Sequence, residues 1–184
     1  MINGHVWTID EVRKMYKSVI VVKNEDGNDE LGFADLKMAE LYIDGFISCS
    51  KVLQKNENKL ALNMLGKIVN LALDKGLITE KDCFTFSEKR MIELFDEYSQ
   101  KNDDYLSLLI KKWRTMESIE RFETEPDGSY YWVNLDVKKR YVDPLVKLEE
   151  SKTERTSKLS PASYKKIQDF LNYQDAAYGA VKLI

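Results

Sequence analysis

The residues with chemistry to offer are few: one histidine, two cysteines, and one run where aromatic and basic side chains alternate. His5 is the only imidazole in 184 residues. A site of two or three histidines therefore cannot be assembled by one chain, and zinc-hydrolase and non-haem iron centres need several imidazole or carboxylate ligands in register. A serine or cysteine hydrolase would require His5 as its base, and no G-x-S-x-G elbow is present. Neither the G-x-G-x-x-G nor the G-x-x-x-x-G-K-[ST] phosphate loop occurs. Asp103-Asp104 reads as a helix cap, where aspartate is favoured, rather than as a magnesium site. Cys49 and Cys83 lie in no C-x-x-C or Cys/His cluster, which suggests buried free thiols. Of the two, Cys83 lies near a helix start, where a thiol can be activated. No catalytic residue, metal ligand or cofactor is assigned.

The aromatic–basic run is the most distinctive segment. Tyr130, Tyr131, Trp132 and Tyr141 surround Lys138-Lys139-Arg140. Such a mixture can stack a base on Tyr130, Trp132 or Tyr141 while Lys138, Lys139 and Arg140 hold phosphate. The competing reading is an amphipathic strand whose lysines keep an exposed edge from pairing with other chains.

These residues must be positioned by local elements. Thr8-Ile9-Asp10-Glu11 is a capping box, which opens a helix with Ile9, Val12, Met15, Tyr16 and Val19 on one face. The β-branched residues of Val19–Lys23 favour extended chain, and residues 24–29 form a polar turn. A second helix runs over 33–54, with Asp35 as cap and Gly45 either weakening it or allowing close packing. Residues 58–75 form the clearest helix, apolar around most of its circumference and therefore central. Gly76 stops it. Thr85 or Ser87 caps a helix with a Met91, Ile92, Leu94, Phe95 and Tyr98 stripe. Asp103 caps another through Met116. The period then changes. Residues 122–130 read as strand, turn and strand around Pro126-Asp127-Gly128. Tyr131, Val133, Leu135 and Val137 alternate with polar positions, and Pro144 is expected to end regular pairing. Residues 149–158 read as a charged linker. Ser160-Pro161 starts a last helix, which buries Ile167, Phe170, Leu171 and Tyr178.

The expected fold class is mainly α, a helical bundle with a small β-hairpin near residues 119–142. The expected organisation is a helical domain with that hairpin over 1–148, then a charged linker and C-terminal helix over 149–184 packing on the same domain. A chain of this length can bury about 70% of its unfolded surface, so it needs no disulfide or structural metal. The net charge of -3 does not indicate a general nucleic-acid binder. The charge is uneven: residues 24–44 are acidic and residues 138–166 basic, so copies could dock head to tail. The longest aliphatic run, Val19–Val22, is too short to span a membrane. No apolar signal segment follows Met1, and a soluble, cytoplasmic protein is expected.

Two stretches resemble the C-terminal helical region of HD-superfamily phosphohydrolases of the deoxynucleoside triphosphate triphosphohydrolase type. One is Leu62-Asn63-Met64-Leu65-Gly66-Lys67-Ile68-Val69-Asn70-Leu71-Ala72-Leu73-Asp74-Lys75-Gly76-Leu77-Ile78. The other is Lys138-Lys139-Arg140-Tyr141-Val142-Asp143-Pro144-Leu145-Val146, followed by Ser160, Ile167, Phe170 and Leu171. The His-Asp pair that names the family is missing, so none of its metal ligands carries over. The resemblance implies a non-catalytic accessory or regulatory module, inactive alone, whose partner is a catalytic HD half or a second copy. Two alternatives stand beside it: a nucleotide- or single-stranded nucleic-acid-binding module using the basic aromatic strand, and a protein–protein interaction domain.

Overall fold

A computed structural model describes residues 7–149 and 152–183. His5 lies outside them. The chain divides into two compact units: Met1–Gln54 with Val137–Gln174, and Lys55–Asp136 with Asp175–Ile184. Their boundaries do not fall at 148/149.

In the first unit, α1 (Ile9–Ser18) starts at the Thr8 capping box. It passes without a break into β1 (Val19–Lys23), which pairs antiparallel with β2 (Asp29–Phe33). α2 (Leu36–Gln54) follows, with Asp35 accepting from the Met38 amide. The chain returns as β5 (Leu145–Glu149) and β6 (Lys152–Arg155), then α7 (Thr156–Leu159) and α8 (Pro161–Leu171). The intervening labels belong to the second unit. The sheet order is β1-β2-β5-β6, with β2 and β5 parallel. Two small cores hold this unit together: Met15, Phe33, Ala39 and Val146, and then Ile43, Ile47, Ile167 and Phe170. At Gly45 a Cβ would overlap the Trp7 indole, so close approach requires glycine there.

The second unit contains α3 (Asn56–Asp74), α4 (Glu80–Thr85), α5 (Glu88–Lys101) and α6 (Tyr105–Thr115), then β3 (Glu120–Phe122), β4 (Tyr130–Val133) and β7 (Tyr178–Lys182). α3 is the core helix, burying Leu60, Met64, Ile68 and Ala72 against Phe95, Leu106, Leu109 and Ile110. Leu62, on its other side, is exposed. Gly76 sits at φ 67°, the left-handed stop that only glycine adopts without penalty. Ser87 is the cap of α5, and Asp104, rather than Asp103, caps α6.

The fold is therefore mixed, eight helices and two small sheets among the described residues, rather than a bundle with one hairpin. The expected hairpin does not form. β3 and β4 lie on either side of β7 and both pair with it antiparallel. In this sheet strand pairing is non-local, and the turn at residues 126–128 joins two strands without making them partners. Tyr178 begins this central strand and is not part of the last helix, which ends at Leu171. Regular pairing does not stop at Pro144; it begins just after it. The alternation read through Val137 ends at Val133, and Leu135 and Val137 are exposed. Residues 152–158 are not a linker but β6 and most of α7. Charged side chains on an edge strand look like linker composition in sequence.

Candidate functional site

The first unit contains an open recess of about 540 Å³. α1 supplies Val12, Met15 and Tyr16; the β1–β2 hairpin supplies Val19, Leu31 and Phe33; Trp7 and Tyr42 close one side. The Trp7 and Tyr42 rings stack at 5.7 Å and 3°, and Phe33 tilts onto Tyr42 at 5.5 Å. The indole Nε1 donates to the Leu41 carbonyl at 2.9 Å, which fixes the ring. That side of the recess is therefore aromatic and pinned by a hydrogen bond.

Sequence periodicity places Ile9, Val12, Met15, Tyr16 and Val19 on one face of the first helix. Only Met15 is buried. Tyr16 is 80% exposed and Ile9 66%. On the hairpin, Val21 and Leu31, directly opposite each other across the two strands, are 64% and 65% exposed. Large apolar side chains gathered on neighbouring elements around a recess are the usual mark of a binding surface.

Arg155 forms the polar end of the recess together with Glu30 and Asp143. Its Nε and Nη2 donate to Glu25 at 2.8 and 2.7 Å. Nη1 and Nη2 donate to Glu30 at 2.6 and 3.0 Å, and Nη1 also donates to the Asp143 carbonyl at 3.0 Å. All five guanidinium N–H groups are thus used. The Arg155 hydrogen bonds hold Glu25 down to about 2 and Glu30 below the usual glutamate range. The Asp143 carboxylate accepts from the amide and hydroxyl of Ser157. With its polar groups satisfied internally, the recess favours an apolar occupant over a phosphate.

The residues singled out in the sequence are placed as follows. Tyr130 and Trp132 belong to the second unit, and Lys138, Lys139, Arg140 and Tyr141 to the first. The Tyr130 ring meets Phe122 edge to face at 5.3 Å, and its hydroxyl donates to Glu120. Trp132 meets Tyr178 in the same way. Lys139 Nζ donates to the Leu171 carbonyl at 2.6 Å. Lys138, Arg140 and Tyr141 are exposed. Cys49 and Cys83 are both exposed rather than buried, because each lies on a helix face turned from the core. Among the described residues, no group of three His, Cys, Asp or Glu side chains is placed to hold a metal ion. No described helix is long and apolar enough to cross a membrane.

Sequence reasoning missed Trp7, Phe33, Tyr42 and Arg155 as one constellation. Its one available signal is the apolar stripe of α1, which periodicity assigns to one face without saying what covers it. In comparisons with known proteins, no family model, curated protein or solved structure matches the chain.

Proposed function

We propose that this chain is a non-catalytic accessory module of an HD-type phosphohydrolase, and that it works by holding an apolar segment of a partner protein in the recess of the first unit. The observation that carries the docking part is the exposure of Tyr16, Val12 and Leu31 around the recess that the stacked Trp7 and Tyr42 rings close on one side. The assignment to an HD partner rests on the two resembling stretches and on the missing His-Asp pair. Tyr16 and the Trp7 edge are the anchors, since aromatic side chains dominate binding energy at such surfaces.

The test is a calorimetric titration of the chain with a His-Asp-bearing polypeptide encoded beside it. One-to-one binding is expected, weakened at least tenfold by Tyr16→Asp. No binding, or binding indifferent to that substitution, defeats the reading. So does metal-dependent phosphate release from a deoxynucleoside triphosphate by the purified chain alone. The nucleotide-binding alternative rests on Lys138, Arg140 and Tyr141. It is the weaker reading, because Lys139 is held by a backbone carbonyl and the Tyr130 and Trp132 rings are engaged within their own sheet.

A further inference from the structure

We infer that β1 is a self-association edge, along which two copies of this chain pair antiparallel about a twofold axis through Val21. The inference shares Val19 and Leu31 with the lining of the recess but does not require the partner proposed for it.

β1 is an outer strand of its sheet. Its register with β2, and the bonds from the Ala34 amide to the Ser18 carbonyl and from the Asn24 amide to the Asn28 carbonyl, set the alternation. Even-numbered residues bond to β2, so the backbone groups of Val19, Val21 and Lys23 point outward. Two of these six groups are already satisfied. The Val19 amide donates to the Tyr16 carbonyl, and the Lys23 carbonyl accepts from the Thr153 hydroxyl at 2.9 Å. The other four, the amides of Val21 and Lys23 and the carbonyls of Val19 and Val21, have no partner among the described residues.

This set is self-complementary in one register. With Val21 opposite Val21 of a second copy, each Val21 amide meets the other Val21 carbonyl, and each Lys23 amide meets the other Val19 carbonyl. The two groups already satisfied fall opposite each other, so none is orphaned. Charge agrees. The N-terminal side of β1 follows Lys14 and Lys17, and the turn after it carries Asp26, while Glu25 beside it is already paired with Arg155. Antiparallel pairing sets each basic end against the other copy's acidic end, twice. Lys17 and Asp26 are in no ion pair among the described residues. The exposed Val21–Leu31 pairs of the two copies then join into one apolar row, an arrangement that stabilises cross-strand neighbours.

The experiment is sedimentation velocity on the full chain over a concentration series. A species of twice 21.5 kDa is expected. Val21→Pro deletes an amide that β2 does not use, and proline is tolerated on an edge strand in that position. It should give a monomer with an unchanged circular-dichroism spectrum. In case Val21→Pro perturbs the hairpin, charge reversal gives a second reading. Lys17→Glu or Asp26→Lys should each weaken association roughly tenfold, and the double variant should restore it. In a Cys49→Ser, Cys83→Ser background, Val21→Cys should oxidise to a covalent dimer, since such opposed residues lie about 5.5 Å apart, within disulfide range. A monomer at about 100 μM overturns the inference. So does a dimer unmoved by both Val21→Pro and charge reversal, which would place the contact elsewhere.

Discussion

Arg155 joins the β1–β2 turn, β2 and the segment leading into β5 through one guanidinium, and its removal leaves the Asp143 carbonyl without its donor and Glu30 with only the Asn24 side-chain amide. Both glutamates have depressed folded-state pKa values, so their contribution is present above the unfolded value and lost as pH falls through the folded one. For Glu25 that window runs from 4.5 down to about 2. Urea melts followed by tryptophan fluorescence should therefore show the first unit losing stability across this acid range. Arg155→Ala should be less stable at neutral pH and should show a shallower acid slope; an unchanged slope would refute the assignment. Gly45 makes a second prediction at this scale. An added methyl group overlaps the Trp7 ring, so Gly45→Ala should cost about 1–3 kcal/mol and shift Trp7 emission to the red, as expected for overpacking that expels a side chain.

At the scale of elements, one buried acid ties the segment before the last strand to the start of α3 and to β3. Asp175, whose side chain is 7% exposed, accepts from the Asn56 amide at 2.8 Å and from Arg121 at 2.8 Å. Burial alone would raise its pKa; the Arg121 and amide hydrogen bonds outweigh that and lower it. Asp175→Ala should destabilise the second unit by about 2 kcal/mol, because it removes charge-assisted bonds and orphans a buried amide. It should also raise hydrogen exchange across β3 and β4, since both pair with β7; protection confined to its wild-type level would argue against this role. Asp104 does comparable work for α6. It accepts from the Ser107 amide, from the Tyr98 hydroxyl and from Lys75, and these bonds push its carboxyl well below the usual range.

At the scale of the whole molecule, the two units have separate cores, while the exposed apolar surface described above belongs to the first. If Tyr16 serves recognition and not folding, Tyr16→Asp should leave the free energy of unfolding in urea unchanged to within about 0.5 kcal/mol, while reducing binding of an apolar dye such as ANS. A large loss of stability would return Tyr16 to the core.

Local signals were legible where local chemistry decides them. The Thr8 capping box, the Asp35 cap, the Gly76 stop and the Ser160-Pro161 start all lie where residue types placed them. The core helix α3 followed from its apolar density. Strand partnership did not: nothing within residues 120–133 signals that Tyr178–Lys182 inserts between them. Burial of an apolar face also escaped sequence, because periodicity reports that a face exists but not whether anything covers it. The α1 stripe and the five-bonded Arg155 were settled only when residues far apart in the chain were brought together, since hydrogen bonding and burial depend on spatial neighbours and not on sequence neighbours.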